Sequence, residues 1–382
     1  MVIKLPTRIL FVITGLSVGG AEMMLLKLLE RIDRSRFDVA VISLTTMGEI
    51  GLRIADLNIK VTALSMRPSS PNPLLFFRLL SFMRRFKPDI VHTWMYHADL
   101  LGGMAARLAG VKKILWSIHH SDLSVNNNKK LTLAVVKFCA RLSSIIPEQV
   151  LACSHRAREI HVKIGYSSNK MVVVPNGFDL QRFVPNYAAR LSVRQELGLP
   201  PTVKLVGLIG RFHIQKNHLG FIEAAALIYK ENPNVNFLLA GDNIDRENVD
   251  LSSAIANTGL SQQMHLLGRR SDIPRLMAAL DVLASSSLGE AFPNVLGEAM
   301  ACGVPCVVTD VGDSAAVVGN TGRVVAMGDM TAFAKQILEI LSLAEAEKDK
   351  LGIAARQRVA NNYEIGKIVN EYQKIYVDML RK

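Results

Sequence analysis

The sequence has few cysteines and no long apolar run. Four cysteines occur among 382 residues, and they lack the spacing of a metal site. This usage excludes a disulfide framework and predicts reduced thiols in the core. No apolar stretch approaches the roughly 18 residues that cross a bilayer. Charged residues make up 20% and apolar residues 49%, which predicts a globular chain rather than a disordered one. The cysteines are Cys139, Cys153, Cys302 and Cys306.

Acidic residues are scarce in the first half of the chain. Residues 1–180 contain 24 lysines and arginines but 12 aspartates and glutamates, whereas residues 181–382 contain 21 of each kind. The first half therefore carries the whole net charge of +12. Interleaved aromatic and basic residues and nucleic-acid reader motifs are missing, so no nucleic acid is predicted. An anionic membrane surface or an anionic lipid-linked substrate fits this charge.

The N-terminus allows two interpretations. Its basic start and apolar stretch, MVIKLPTRILFVITG, are compatible with a signal peptide. The apolar stretch leads directly into a glycine-rich turn and an amphipathic helix, as the first strand of a nucleotide-binding fold would. The pattern favours the strand, and with it a cytoplasmic protein.

Apolar strands alternate with amphipathic helices along the whole chain, which indicates βα units and parallel sheets. At this length two domains are expected. We predict an α/β protein of two Rossmann-like, doubly wound parallel-sheet domains that face a cleft. The first domain is assigned to 1–180, a linker to 181–201 and the second domain to 202–360. A C-terminal helix, 361–382, is predicted to cross back to the first domain.

The first βα turn, GLSVGGAE, contains Gly19 and Gly20. Backbone amides at a helix start point at whatever lies beyond it, and glycines allow an anion or a sugar ring to approach closely. The turn is not G-x-G-x-x-G, and no ribose-binding acid follows the second strand. A tight turn that serves only packing remains the alternative.

The second domain begins in a similar way, with VGLIGRFHIQKNH. Arg211 and Lys216 follow a strand and precede a helix. Two cations at a helix N-terminus oppose the helix dipole unless an anion joins them, and a diphosphate is such an anion. The alternative is a pair of solvated surface cations.

The segment GEAFPNVLGEAMACGVPCVVTD carries two carboxylates, Glu290 and Glu298, separated by seven residues. A helix is predicted to begin near Pro293 and Asn294, since proline is tolerated in a first turn. The amides from about Phe292 to Leu296 would form an anion site. Glu298 would accept hydrogen bonds from a ribose diol and Glu290 from the hydroxyls of a sugar. Alternatively, Glu298 only interacts with the helix dipole and Glu290 is an exposed acid on a loop.

These motifs resemble the family 4 retaining glycosyltransferases, which have the GT-B fold. The resemblance rests on E-x7-E with FPNVL and EAMACGVP, on GLSVGGAE, on GR-x4-K and on the VVPNGFD segment, and it covers nearly the whole chain. It implies a nucleotide-sugar donor, bound mainly by the second domain, and an acceptor bound mainly by the first. Ala291 departs from the family, which often has glycine there, and bears on the choice of donor.

The resemblance also assigns roles to individual residues. Arg211 and Lys216 would neutralise the diphosphate, with Glu298 on the ribose and Glu290 on the transferred sugar as a catalytic group. The backbone of four consecutive residues would complete the phosphate site, and Gly19 and Gly20 would approach the donor from the opposite wall. These four residues are Phe292, Pro293, Asn294 and Val295.

His119 resembles the histidine of the family's active site, close to the transferred sugar. His120 is the rival, because adjacent strand residues face opposite ways. His92, Tyr96 and His97 are assigned to the acceptor site, although an ordinary structural role for His97 stays open.

No two aspartates are separated by one residue, so the D-x-D of many metal-dependent glycosyltransferases is missing. We expect no metal ion and no cofactor, because fixed cations and helix amides would stabilise the leaving diphosphate. The resemblance implies retention by front-face attack. A covalent intermediate on Glu290 is the alternative.

Two basic, apolar helices in the first half suggest contact with a membrane. They are PLLFFRLLSFMRRFK, Pro73–Lys87, and NKKLTLAVVKFCARL, Asn128–Leu142, and each also fits a helix that covers a sheet. With the charge they favour a saccharide acceptor on polyprenyl diphosphate, although a saccharide without a lipid stays open. The resemblance implies transfer of a hexose or N-acetylhexosamine in bacterial surface polysaccharide synthesis. The protein would lie on the cytoplasmic face of the inner membrane. The sequence leaves the oligomeric state, the sugar and the base open, and UDP is the preferred base.

Two further functions compete with transfer. The same fold also suits a nucleotide-sugar epimerase, which would convert the donor without an acceptor. The other is a scaffold that binds a sugar nucleotide or a membrane without catalysis, and the presence of Arg211, Lys216, Glu290 and Glu298 argues against it. A dinucleotide-dependent oxidoreductase is poorly supported without G-x-G-x-x-G.

Overall fold

The computed structural model describes residues 6–66, 73–124 and 128–381. The chain divides into two compact units. The first unit contains the residues up to Gly177 together with the segment that starts at Ile365, and the second unit is Phe178–Glu364. Both are parallel α/β sheets with helices, which confirms the predicted fold class.

The described part of the first unit contains a seven-stranded parallel sheet in the order β3-β2-β1-β4-β5-β6-β7. Its strands are β1 (Thr7–Ile13), β2 (Phe37–Ser43), β3 (Lys60–Ala63), β4 (Ile90–Trp94), β5 (Lys113–Ile118), β6 (Gln149–Ala152) and β7 (Met171–Val173). In β1 the residues from Ile9 to Ile13 are all buried, as expected for an interior parallel strand that is covered on both faces.

Helices cover both faces of this sheet. They are α1 (Gly20–Arg31), α2 (Gly48–Ala55), α3 (Pro73–Phe86), α4 (Tyr96–Leu108), α5 (Lys130–Leu142), α6 (His155–Lys163) and, last in the chain, α15 (Ile365–Arg381). One core cluster joins α1, α2 and α15 to the sheet through residues such as Leu25, Ile54 and Tyr372. The other joins α3, α4 and α5 through residues such as Leu79 and Cys139.

The second unit has a six-stranded parallel sheet within the described residues, in the order β10-β9-β8-β11-β12-β13. Its strands are β8 (Lys204–Ile209), β9 (Val235–Ala240), β10 (Met264–Leu266), β11 (Val282–Ser285), β12 (Cys306–Thr309) and β13 (Arg323–Val325). Its helices are α7 (Tyr187–Glu196), α8 (His218–Glu231), α9 (Val249–Thr258), α10 (Ile273–Ala279), α11 (Asn294–Ala301), α12 (Ser314–Val318), α13 (Met330–Ser342) and α14 (Glu345–Asn362).

The segment 181–201, assigned to a linker from its prolines and glycines, lies within the second unit. It contains α7, whose Arg194 is buried at 1% exposure. The Arg194 guanidinium bonds to Asp281 Oδ2 at 2.8 Å, next to the start of β11. Arg190, also on α7, bonds to the other oxygen of Asp281 at 2.7 Å, so two arginines connect this segment to the sheet.

The two sheets share one order, in which the first strand lies between the second and the fourth. At that position the chain changes direction across the sheet. In open α/β sheets ligands bind at this topological switch point, beyond the carboxyl ends of the strands. The topology therefore favours ligand sites beyond the carboxyl ends of β1 and β4 in one sheet, and of β8 and β11 in the other.

Candidate active site

Lys216 is held by the turn that connects β8 to α8. A short 3-10 helix, Ile214–Lys216, ends at Asn217, whose backbone is left-handed with φ 52°. Asparagine tolerates this conformation, and its Oδ1 accepts a hydrogen bond from the Gly220 amide at 3.3 Å. Lys216 therefore directly precedes the capped start of α8, as the sequence indicated.

The Lys216 ammonium forms an ion pair with Glu290 Oε1. The same oxygen accepts a hydrogen bond from Ser287 Oγ at 2.8 Å. The side chains of Lys216 and Glu290 are 25% and 11% exposed. They are 74 positions apart in sequence, but β8 and β11 are neighbours in the sheet. The switch point of the second unit thus brings together a predicted phosphate cation and a predicted sugar carboxylate.

The loop that carries Glu290 is fixed through its backbone. The Leu288 amide donates to the carbonyl of Gln215 at 2.7 Å. Thr309 Oγ1, at the end of β12, donates to the carbonyl of Ser287 at 2.5 Å. Adjacent turns on both sides hold the loop, so Glu290 is presented by a rigid frame.

Gly312 brings the next loop against Glu290. Its φ is +56°, and a Cβ there would collide with the carbonyl oxygen of Glu290. Only glycine combines this left-handed backbone with so close an approach. The sequence showed a TDVG segment after the strand but gave no sign that its glycine supports the acid.

The helix α11 begins directly after this loop. Pro293 is its N-cap and has extended backbone. The Pro293 side chain makes no capping hydrogen bond, and the first turn of the helix contains no acid. The positive end of the dipole is therefore not compensated from the helix's own first turn. Asn294 and Val295 begin the helix as predicted.

The Phe292 side chain has a packing role. It is 7% exposed and lies in a cluster with Phe178 at 6.1 Å and Tyr363 at 5.7 Å between ring centroids. Gly297 allows α11 to approach the Phe178 ring, where a Cβ would collide. The ring of Phe292 thus orients the helix start, and only its backbone lies in the predicted phosphate site.

Glu298 and Arg211 are not part of the Lys216–Glu290 contact. Glu298 lies in the second turn of α11 and is half-buried. Arg211 follows β8 and is exposed. It contributes, after burial, to lowering the pKa of His213 on the same turn. Its guanidinium therefore adds positive charge to the turn that holds Lys216.

In the first unit, Gly19 and Gly20 form the turn after β1. Gly19 is the N-cap of α1 in an extended conformation, and a Cβ there would collide with the Glu22 carboxylate. Glu22 lies in the first turn of α1 and opposes the positive end of its dipole. The glycine permits this close approach of an acid, which weakens the case for an anion at α1.

His119 lies just beyond the carboxyl end of β5. Its ring is stacked on Trp94 with centroids 4.5 Å apart and planes 10° apart. Both ring nitrogens are shielded from solvent and have no hydrogen-bond partner among the described residues. Burial lowers the pKa of His119 to about 3, so its imidazole is neutral at physiological pH. His120 is half-buried beside it.

His92 and Tyr96, assigned to the acceptor site, lie in the core. His92 is fully buried, with Nδ1 at 2.9 Å from the Tyr376 hydroxyl and Nε2 at 2.7 Å from Ser117 Oγ. The Tyr96 hydroxyl lies 2.8 Å from His161 Nε2. These positions do not support contact with an acceptor, because both side chains are already satisfied inside the fold. The sequence alone could not distinguish polar residues that pair inside the core from polar residues that bind a ligand.

His97 remains as the half-buried residue of this motif. Burial lowers its pKa. It lies in the first turn of α4, beyond the carboxyl end of β4. Its place at the switch point of the first unit is compatible with an acceptor contact.

The described residues contain no helix long and apolar enough to cross a membrane. They also contain no group of three or more histidine, cysteine, aspartate or glutamate side chains arranged to hold a metal ion. All four cysteines are free and buried, in agreement with the expected core thiols.

Two family models match the chain. The model described as Glycosyltransferase Family 4 matches residues 18–182, and that described as Glycosyl transferases group 1 matches residues 203–343. Together they extend over most of both units.

Two curated relatives and a solved structure are similar over most of the chain. A 307-residue region is 28% identical to the UDP-Gal:alpha-D-GlcNAc-diphosphoundecaprenol alpha-1,3-galactosyltransferase of Escherichia coli, covering 79% of this chain and 78% of that protein. EpsF of Bacillus subtilis (strain 168), named as a glycosyltransferase, is 30% identical over 79% of each chain. Anabaena HepE in complex with UDP superimposes with a TM-score of 0.84 at 24% identity, over 97% of this chain and 100% of that one.

Proposed function

Because the chain belongs to the family 4, group 1 glycosyltransferases and has their GT-B fold, we propose a specific reaction for it. The enzyme moves a hexose or N-acetylhexosamine from a UDP-sugar to a saccharide on polyprenyl diphosphate, with retention of anomeric configuration. The observation that carries this proposal is the contact between Lys216 and Glu290 at the switch point of the second unit. The two residues that we propose to bind the diphosphate and the transferred sugar form an ion pair there.

The donor is held through its charges and hydroxyls. Lys216 and Arg211 neutralise the diphosphate, and the start of α11 contributes backbone amides. Glu298, one turn further along α11, accepts hydrogen bonds from the ribose. Glu290 accepts them from the transferred sugar. The diphosphate and the Glu290 carboxylate compete for Lys216. Binding of the diphosphate therefore favours a conformation in which the carboxylate contacts the transferred sugar.

The transfer step breaks one bond at the anomeric carbon and forms another on the same face. The acceptor hydroxyl oxygen attacks as the bond to the phosphate oxygen breaks, and the hydroxyl proton passes to that phosphate oxygen. Negative charge grows on the leaving diphosphate. Lys216, fixed by its turn, stabilises this charge without reorganisation. The fixed cations support a reaction that needs no metal ion.

His119 acts as a neutral hydrogen-bonding group beside the transferred sugar. Its pKa of about 3 keeps the ring uncharged, so it offers one N–H donor and one acceptor nitrogen. A neutral imidazole can orient a sugar hydroxyl, but it does not supply a positive charge. His97 and His120 are the remaining candidates for acceptor contact in the first unit.

Two relatives support the choice of donor and acceptor. The Escherichia coli enzyme is named for UDP-Gal and a diphosphoundecaprenol-linked GlcNAc, and the HepE structure contains UDP. A lipid-linked acceptor also fits the charge of residues 1–180. The same considerations favour work in surface polysaccharide synthesis on the cytoplasmic face of a membrane.

The outer surfaces of α3 and α5 are suited to an anionic membrane. Phe77 and Leu131 are each 60% exposed. Neither helix contains an acidic residue, and each contains three basic ones. Exposed apolar side chains beside uncompensated positive charge are typical of helices that lie at a lipid surface. We propose that this face binds the membrane that carries the acceptor.

The reaction is tested by donor screening followed by transfer. UDP-sugars and GDP-sugars are compared for thermal stabilisation of the protein, and the best donor is incubated with polyprenyl-diphosphate saccharides. We expect stabilisation by UDP and its sugars, and an α-linked product from an α-linked donor. The rate should be unchanged by a chelator. Loss of activity with chelator and its return with manganese, or conversion of the donor without acceptor, would contradict the proposal.

Membrane binding is tested with vesicles of phosphatidylglycerol and phosphatidylcholine. The double variant Phe77→Glu, Leu131→Glu should lose binding, because it places negative charge on the apolar surface. Ile353→Glu is the matched control, since Ile353 is 70% exposed on α14 of the second unit. Binding of the double variant equal to that of wild type, or no binding of wild type at low salt, would exclude this face.

A further inference from the structure

His119 is one end of an aromatic column in the first unit. The column consists of His119, Trp94 and Tyr372. The His119 and Trp94 rings are stacked at 4.5 Å, and the Trp94 and Tyr372 rings follow at 6.1 Å with planes 17° apart. Trp94 is fully buried and Tyr372 is 1% exposed. The column therefore runs from the carboxyl edge of the sheet to the C-terminal helix α15.

Strand register explains why these rings meet. Trp94 is the last residue of β4 and lies opposite Ser117 of β5. His119 is two positions beyond Ser117, so continued alternation directs both side chains to the same face of the sheet. That face is covered by α15, whose Tyr372 and Tyr376 belong to the same core cluster as Trp94.

A hydrogen-bonded row runs beside the column. The Tyr376 hydroxyl lies at 2.9 Å from His92 Nδ1, and Ser117 Oγ at 2.7 Å from His92 Nε2. Tyr372 and Tyr376 are four positions apart on α15 and share a helix face. The row links α15 to β4 and β5 and fixes the strand ends from which Trp94 and His119 project. His92 thus supports the edge of the sheet.

Nothing polar among the described residues orients the His119 ring. Both of its nitrogens are shielded and without a partner, so stacking is the contact that sets its plane. Stacked aromatic pairs favour particular offsets and angles beyond what burial alone provides. Burial also keeps the ring neutral. The orientation of the one N–H that it can donate therefore depends on the rings behind it.

We infer that Trp94 and Tyr372 are positioning residues for His119, and that the C-terminal helix α15 thereby contributes to the reaction as well as to the core. The inference rests on the proposed function, in which His119 contacts the transferred sugar. Loss of the column would tilt the imidazole, and the hydrogen bond to the sugar would be misaligned. Small misplacements of a contacting group can reduce turnover strongly.

The geometry is tested by NMR of protein labelled at histidine, with no need for activity. The ring current of Trp94 should shift the His119 ring protons upfield, and His119→Ala assigns these resonances. Tyr372→Leu should move the resonances toward ordinary positions, whereas Tyr372→Phe, which keeps a ring in place, should not. Trp94→Leu should abolish the shift. If that variant fails to fold, Trp94→Phe should still reduce it, because phenylalanine has the smaller ring current.

The function is tested by steady-state kinetics on the same variants. Tyr372→Leu should lower kcat about tenfold or more with little change in KM for the donor, since the diphosphate ligands belong to the second unit. Tyr372→Phe should turn over like wild type. Val369→Ala is the matched control, because Val369 is a buried core residue of α15 that is not part of the column. It should lower the melting temperature but leave kcat in place.

Two outcomes overturn the inference and leave the proposed function standing. One is an unshifted His119 resonance in wild type. The other is normal kcat in Tyr372→Leu while His119→Ala is slow. If His119→Ala itself transfers at the wild-type rate, the proposed role of His119 fails, and the inference fails with it. The His119→Ala variant therefore distinguishes the two failures.

Discussion

The two units have sheets of the same strand order but handle charge in opposite ways. The second unit joins acids and bases in ion pairs, among them Arg194 with Asp281 and Lys216 with Glu290. Residues 1–180 carry the basic excess of the chain, and burial favours the neutral forms of two titratable groups in the first unit. Burial lowers the pKa of His119 and raises the pKa of Asp99. The site that we propose in the second unit thus depends on fixed charge, and the one that we propose in the first unit depends on uncharged rings.

This difference matches the partners that we propose. A diphosphate needs cations that are held in place, and ion pairs hold them. A sugar hydroxyl needs oriented neutral donors and acceptors, and a stacked imidazole provides one of each. The surplus positive charge of the first unit is left for a long-range partner such as an anionic lipid surface.

Loss of the buried ion pair in the second unit should have the largest effect. Arg194→Met removes a buried guanidinium that donates to Asp281 and to the Ala279 carbonyl. Because Asp281 keeps its ion pair with Arg190 at 2.7 Å, the change should cost about 3 kcal/mol in the free energy of unfolding, as expected for charged hydrogen bonds at a buried site. Urea unfolding followed by circular dichroism measures it. Both tryptophans, Trp94 and Trp116, lie in the first unit, so tryptophan fluorescence should change less than circular dichroism does.

Arg275→Met is the control for this measurement. Arg275 pairs with Glu196 and Asp272 in a more exposed cluster, where the three side chains are 28%, 34% and 32% exposed. Exposed pairs contribute about 0–1 kcal/mol. Equal losses for Arg194→Met and Arg275→Met would show that burial does not distinguish these pairs.

Loss of Lys216, the lysine that we propose to bind the diphosphate, should have the second-largest effect, and this effect should be on catalysis. Lys216→Met should lower transfer at saturating donor a hundredfold or more, which corresponds to about 2.7 kcal/mol of transition-state stabilisation. Lys204→Met is the matched control, because Lys204 is also an ion-paired lysine of the second unit and has no proposed role. Wild-type turnover in Lys216→Met would contradict the proposed fixed-charge site.

Acid should destabilise the first unit through its buried histidines. Burial lowers the pKa of His161 to about 4, whereas an unfolded histidine titrates near 6.5. Between these pH values the unfolded state binds the extra proton, so stability is complete above about pH 6.5 and falls as the pH drops toward 4. Each such histidine contributes a slope of about 1.4 kcal/mol per pH unit. In His161→Leu the free energy of unfolding, measured by urea unfolding and tryptophan fluorescence, should depend less steeply on pH by one such slope. An unchanged pH dependence would contradict the assignment.

Glu290→Gln should have the smallest energetic effect of these changes, and it should act in opposite directions on UDP binding and on transfer. The change frees Lys216 from its ion pair, which is worth about 1 kcal/mol at a partly exposed site, so UDP should bind about fivefold more tightly. Transfer should nevertheless fall, because the amide cannot accept from the sugar as a carboxylate does. Calorimetry with UDP and a transfer assay separate the two effects. Weaker binding of UDP would mean that Glu290 does not restrain Lys216.

Much of the fold could be predicted from periodicity and motif order. The helix predicted within Pro73–Lys87 extends over Pro73–Phe86 in the structure, because its pattern of buried Leu79, Leu80 and Met83 follows the helical repeat. The start of α11 near Pro293 was likewise predicted, since proline and the apolar run that follows it are local signals. Local spacing is sufficient where an element's neighbours in sequence decide its conformation.

Contacts between distant segments could not be predicted. His92 and Tyr96 have the composition of a binding motif, yet their partners Tyr376 and His161 lie 284 and 65 positions away. Ser287 and Gly312 carried no signal of a role, although one donates to the Glu290 carboxylate and the other adjoins its backbone. The segment 181–201 resembled a linker because the partner of Arg194 is almost 90 residues further along the chain.

The sequence by itself determined the βα alternation, the family and the identity of the charged residues in the second unit, because each depends on residue types at short spacing. Tertiary structure alone decided which of these residues meet. The pairing of Lys216 with Glu290 and the stack of His119 on Trp94 depend on strands that are neighbours in a sheet but far apart in the chain. Sheet order sets those contacts, and no local pattern encodes it.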